Sequence, residues 1–376
     1  MDQARDDLIL DNWASIASRL GSGHDLTDWA RSCGAFDRPR KIRDGATLLR
    51  LALAYGACGL SLRQAALWAA GEGLADLSDE ALYKRLAKTG GWLAEIAGAL
   101  LDGVSASSGR RLRIVDGTTL TAPGSSRPTW RLMLEFDPDA QRLCGLTLSS
   151  ARCGESLVRG GVEPGELIVA DRGFARAAGL ASVRRQKGEF LVRLGLRSLR
   201  LLDAKGNRIE LDKLLGDASL RQAGHRDGHR DGHGGGPGDI DQTVTVAGMG
   251  VPAFQARLIA RPLPPAAAER NKGKLARAGQ QEGYTPSEAA RTTAGYIILL
   301  TSMAPDALSA SAAVQLYRLR WQVELAIKRM KSLGKLDRLP AKSPGLAQTW
   351  ILANLIAMLL TETVAADLLD SPPSGP

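Results

Sequence analysis

Two aspartates occur in the same local setting, and the setting suggests metal-assisted chemistry. Asp116 lies in RIVDGTT and Asp171 in LIVADRGF, each at the end of an apolar run that reads as a strand, with a glycine one or two residues on. A lone aspartate at a strand end is commonly a turn or cap residue. Two delivered in the same way from one sheet can converge, and clustered carboxylates repel unless a cation neutralises them. A third acid is found in SAAVQLYRLRWQVELAIKRMKSLGKL, residues 311–336. At about 100° per residue, Tyr317, Arg320, Glu324, Lys328 and Lys331 share one stripe roughly 80° wide. Leu316, Leu319, Val323, Ile327 and Met330 form a second stripe about 90° away, suited to packing on a sheet. The polar stripe reads either as a solvated face with i, i+4 charge pairs or as a carboxylate flanked by cations.

The elements that must carry these residues follow from the pattern of the chain. Residues 1–104 read as helical. ATLLRLALAYGA (46–57) is a run of strong helix formers, Ser61 with Gln64 has the spacing of a capping box, and a further helix starts near Ser78 with Asp79 and Glu80 in its first turn. Within this region residues 31–63 hold seven basic and two acidic residues, which fits a DNA-binding helical unit as well as an ordinary helical hairpin. Residues 105–196 change to strand character, in RLRIVDGTTL, TWRLMLEFD, RLCGLTLSS, GELIVADRGF and EFLVRLGL, with the helical ARAAGLASVRRQ before the last. That order predicts a mixed α/β sheet with helices on its faces. Residues 197–292 read as a β-rich insertion, with a hairpin at Gly206-Asn207 and strands in TVTVAG and AFQARLIARPL. Residues 293–376 return to the core, with the strand YIILLTSM, the Glu324 helix and a last helix around 345–369.

Composition narrows the function classes. The chain has 376 residues, 44% hydrophobic and 24% charged, enough for a real core. Forty-nine Lys and Arg against 40 Asp and Glu give a net charge of +9, which favours a polyanionic partner. Four cysteines without a CxxC pair predict a reduced, cytoplasmic protein. The first residues lack a signal-peptide pattern, and the apolar run Trp350–Leu360 is too short to span a bilayer, so no membrane partner is expected. Of four histidines, His225, His229 and His233 sit in the tract HRDGHRDGHGGGPGD, whose glycines and proline oppose a helix. Residues 225–238 therefore read as a flexible tract without a metal, and a histidine-based hydrolase is disfavoured.

The spacing Tyr317-x2-Arg320-x3-Glu324-x6-Lys331 resembles the Tyr-Arg-Glu-Lys signature of the DDE transposases of bacterial insertion sequences, in the group named for insertion sequence four. Asp116 in IVDGTTL resembles that family's first catalytic aspartate, and ADRGF around Asp171 resembles the block around its second. The resemblance implies a ribonuclease-H-like mixed sheet with flanking helices, split by the 197–292 insertion and preceded by an all-α N-terminal domain. It implies that Asp116, Asp171 and Glu324 hold two Mg²⁺ ions, for which Mn²⁺ can substitute, and cut and join DNA by in-line attack at phosphorus. Arg320 and Lys331 would meet phosphates beside the scissile one, with Tyr317 donating to another. Trp321 borders the stripe, for stacking on a base or for a core role. The implied partners are double-stranded DNA, as transposon ends and target, and a second copy of the chain in the DNA complex. The resemblance further suggests a hairpin intermediate at the transposon end. Any C-terminal dimerisation region must be confined to the last helix, around 345–369. A catalytically inactive DNA-binding regulator and a nuclease that cuts without joining are the alternatives.

Overall fold

From Leu112 onward, successive residues are buried toward two different cores, the mark of strands covered on both faces. A computed structural model describes residues 13–20, 25–102, 111–139, 142–158, 161–224, 238–321, 324, 328 and 339–370. Its strands are β1 Leu112–Leu120, β2 Trp130–Asp137, β3 Arg142–Ser150, β4 Leu167–Ala170, β5 Glu189–Arg193, β6 Arg200–Leu202, β7 Ile240–Gly248, β8 Val251–Pro262 and β9 Tyr296–Thr301. They form one sheet in the order β3-β2-β1-β4-β5-β9-β8-β7-β6. The β1–β4 and β4–β5 pairs are parallel, and the other pairs are antiparallel.

Six helices precede the sheet: α1 Trp13–Arg19, α2 Leu26–Ser32, α3 Gly45–Gly56, α4 Leu62–Gly71, α5 Asp79–Leu86 and α6 Gly90–Asp102. Local chemistry starts them where the sequence indicates. Asp44 caps α3, Ser61 and Gln64 form the full capping box of α4, and Ser78 caps α5. Their apolar faces, with the C-terminal helix Pro344–Asp370, build one core that continues onto the sheet at Ile114, Leu134, Val169 and Leu191. The opposite sheet face, through Val115, Ile168, Phe190 and Val192, packs on the helix Ala177–Arg185. The Pro344–Thr361 stretch is long and apolar enough by length and composition to cross a membrane, yet 72% of it is buried inside the fold.

The segment 197–292 is less β-rich than its sequence suggests. Its strands β6, β7 and β8 do not stand apart, because β8 pairs with β9 along Arg257–Pro262 and extends the central sheet. It also contains helices at Leu211–Gly224, Pro265–Glu282 and Glu288–Ala294. The first buries Leu211, Leu215 and Ala218 at helical spacing, and the second is closed by Gly283 in the left-handed region at φ 74°. The turn at Gly206 is present, with φ 83° and a hydrogen bond from the Asp203 N–H to the Asn207 carbonyl. Residues 225–237, with the three histidines of the tract, lie outside the described residues.

The contact between α3 and the C-terminal helix is close enough to test. Asn354 donates from Nδ2 to the Gly56 carbonyl at 2.8 Å, and a β-carbon on Gly56 would stand 2.5 Å from Ala353 Cβ and 3.1 Å from the Trp350 carbonyl. Gly56→Ala is expected to destabilise the chain by roughly 1–3 kcal/mol in urea unfolding, the usual cost of forcing apart a packed helix pair. An unchanged midpoint would show that the two helices do not share a tight interface.

Candidate carboxylate site at the end of the parallel ladder

The parallel β1–β4 pairing runs from Leu112 opposite Leu167 to Val115 opposite Ala170. Asp116 and Asp171 are the next residue on each strand. Ile114 and Val169 face the first core, and Val115 and Ala170 the second. Alternation then directs Asp116 back to the first face, and the extended backbone of Asp171 (φ −79°, ψ −179°) continues the same alternation. Asp116 does not end its strand as its sequence suggests. β1 continues to Leu120 because β2 keeps pairing with it, Asp116 lying opposite Leu134.

Each carboxylate is oriented by a glycine amide. The Gly117 N–H donates to Asp116 Oδ1 at 2.8 Å. The Gly173 N–H donates to Asp171 Oδ1 at 2.7 Å, and Asp171 so caps the short 3-10 turn Arg172–Phe174.

The third acid arrives on the same face. The helix Ala310–Arg318, capped by Ser309, buries Ala313 and Tyr317 in the first core. The single helix expected over 311–336 is interrupted at Leu319, whose N–H bonds the Leu316 carbonyl in a tighter i−3 closure. Helix resumes at Arg320, and Glu324 and Lys328 are helical, whereas Lys331 falls outside the described residues. Arg320 donates from Nη1 to Asp116 Oδ2 at 3.3 Å and from Nη2 to Glu324 Oε1 at 2.6 Å. Its guanidinium also lies 5.6 Å from the centre of the Tyr317 ring. Tyr317 is thus buried under Arg320 and not presented to solvent, and burial pushes its hydroxyl pKa up. Trp321 is 60% exposed, which removes the core role.

Burial raises the Asp116 carboxyl to about 6; the Gly117 amide and Arg320 hold it down, and the charges of Asp171 and Glu324 push it up. Asp116 therefore feels the charge of both other acids. The donors are all carboxylate oxygens, the kind a hard divalent cation prefers. Among the described residues, however, no three His, Cys, Asp or Glu side chains stand close enough to hold a metal ion as they are. The guanidinium of Arg320 supplies positive charge between Asp116 and Glu324 instead. One acid of this region, Glu155, escapes sequence reading, since it sits in a loop without periodicity. The only signals that point to it are the glycines that follow each aspartate, where its carboxylate packs.

Residues 107–360 match the family model described as the transposase DDE domain. The chain is 39% identical over 373 residues to the transposase of insertion sequence element IS421 of Escherichia coli, covering 96% of both chains. It is also 39% identical over 372 residues to InsL of insertion sequence element IS186A of Escherichia coli K12, again covering 96% of both. Among solved structures, the piggyBac transposase synaptic complex with hairpin DNA aligns with 99% of this chain and 77% of its own, at 10% identity and a TM-score of 0.39.

The raised Asp116 carboxyl has a stability consequence. Its folded pKa of about 6 lies above its ordinary 3.8, so the folded state binds more protons between those values and loses stability as pH rises through them. Asp116→Asn is therefore expected to stabilise the metal-free protein by roughly 2–3 kcal/mol at pH 7 and by progressively less as pH falls from 6 to 4. Thermal melts of both forms across that range test this, and a pH-independent difference would contradict the buried-carboxylate reading.

Proposed function

Because the chain belongs to the insertion-sequence transposases with a DDE domain, we propose that Asp116, Asp171 and Glu324 are its catalytic carboxylates in DNA cleavage and strand transfer. The observation that carries this reading is the placement of Asp116 and Asp171 one residue past the last rung of one parallel ladder, with Arg320 tying Asp116 to Glu324. The order β3-β2-β1-β4-β5, antiparallel through β1 and parallel beyond it, supports a ribonuclease-H-like core. The domain boundaries at 104/105, 196/197 and 292/293 belong to the same proposal.

The three carboxylates would hold two Mg²⁺ ions, replaceable by Mn²⁺, which supply an activated oxygen nucleophile and stabilise the leaving 3′-oxygen. The residues themselves do the rest. Asp116, reluctant to ionise while buried, releases its proton when positive charge arrives beside it. Arg320 balances Asp116 and Glu324 until DNA enters, and its fork then serves a phosphate beside the scissile one. Lys331 has the same role by its place on the stripe. Tyr317 supports the Arg320 guanidinium from below, and exposed Trp321 offers a ring for an unpaired base.

DNA also needs a surface away from the carboxylates. Arg38, Arg40, Arg85 and Lys88 line one cleft of the helical N-terminal region, and Arg40, Lys41 and Arg43 line its neighbour, which supports phosphate-backbone binding there. The partners proposed are transposon-end and target duplexes and a second copy of the chain.

Strand transfer of end-containing DNA in Mg²⁺ tests the reading. Alanine at Asp116, Asp171 or Glu324 is expected to abolish cleavage while DNA binding stays measurable, because affinity comes mainly from Lys and Arg at phosphates. Cleavage at the wild-type rate by Asp171→Ala would refute it. Arg320→Ala should weaken end binding and lower the salt-dependence slope by roughly one, and Arg320→Lys should rescue only in part. Equal losses on end and random duplex would leave Arg320 a general electrostatic contact.

A further inference from the structure

On the sheet face opposite Asp116, the chain after β3 turns back and lays Glu155 against both glycines that follow the aspartates. A β-carbon on Gly117 would stand 3.1 Å from Glu155 Oε1, and one on Gly173 would clash with Glu155 Oε2 and stand 3.1 Å from Asp171 Oδ1. These are the same glycines whose N–H groups orient Asp116 and Asp171. One carboxylate thus rests on the two peptide units that aim the two acids.

Glu155 is itself fixed. It forms an ion pair with Arg131 of β2, the two side chains being only 24% and 16% exposed. Arg131 lies opposite Thr119 of β1, two residues beyond Gly117 on the same sheet face. Two residues after Glu155, Leu157 is buried in the second core, its backbone N 3.3 Å from where a Gly179 β-carbon would be. The loop is therefore anchored at the contact itself and two residues beyond it, and Arg131 balances a negative charge that would otherwise add to those of the nearby acids.

We propose that Glu155, held by Arg131, is a positioning residue that sets Asp116 and Asp171 relative to each other through Gly117 and Gly173. It acts on the two acids through the glycines that orient them. Its role explains two glycines at once: any side chain at 173 would displace the carboxylate, and one at 117 would press on it. Its link to catalysis rests on the carboxylate reading given above; its effect on the two glycine amides does not.

The test uses the full-length, metal-free chain with two readouts: amide hydrogen exchange of peptides containing Gly117 and Gly173, and direct calorimetric binding of Mn²⁺. Glu155→Ala should speed exchange in both peptides by about tenfold or more and weaken Mn²⁺ binding by about 10–100-fold, the usual effect of removing a residue that supports metal ligands. Glu155→Asp keeps the charge but withdraws the oxygens from the glycines, and should behave like Glu155→Ala in a chain that still folds. Glu155→Gln keeps the length and should retain near-normal exchange, with Mn²⁺ affinity within about threefold. Unchanged exchange in both the Ala and Asp variants would overturn the proposal. So would equal damage in Glu155→Gln, which would make the charge, and not the contact, the active feature. Wild-type Mn²⁺ affinity in Asp171→Asn would instead refute the carboxylate reading, and the exchange data would still decide the place of Glu155.

Discussion

The parallel register of β1 against β4 is the constraint on which the rest of the molecule depends. Val115 opposite Ala170 is the last rung, so the next residue on each strand is an aspartate, and the two acids start from neighbouring strands about 5 Å apart. The register is fixed by burial on both faces, Ile114 with Val169 in one core and Val115 with Ala170 in the other. A slip of one residue in β4 would turn Asp171 into the second core and Val169 away from the first. The glycine after each acid, the loop carrying Glu155 and the helix carrying Glu324 are all arranged around that pair.

Bringing acids together under cover is costly, and the fold shows how the cost is offset. Asp116 is half neutral near pH 6 because burial outweighs the help it receives from Arg320 and the Gly117 amide. Arg320 serves two carboxylates at once, a use for which its planar fork suits it better than an ammonium would. In the proposed function the guanidinium would exchange these carboxylates for a phosphate, whose geometry also suits its fork. The break at Leu319 sits one residue before Arg320, at the point where the chain must aim that fork.

Much of this was legible in the sequence because it is local. Capping chemistry at Ser61 and Ser78, apolar runs ending in Asp, and the i, i+4 pair of Arg320 and Glu324 are all short-range patterns. What was not legible is non-local. That β1 runs on past Asp116 depends on pairing with β2, and that β8 joins the sheet depends on β9, forty residues away in the chain. The helices within 197–292 are hidden in the sequence because strand-like runs flank the short i, i+4 spacing of Leu211 and Leu215. Arg320 was readable as a cation beside Glu324, but its bond to Asp116 spans 204 residues.

In the proposed function Asp171 is a metal-holding carboxylate of the cutting site. The most direct measurement replaces it by a softer ligand and changes the metal. Asp171→Cys should lose end cleavage in Mg²⁺, which prefers oxygen, and recover a substantial part of it in Mn²⁺, which accepts sulfur more readily. Cleavage at the wild-type rate by Asp171→Cys in Mg²⁺ would contradict the account.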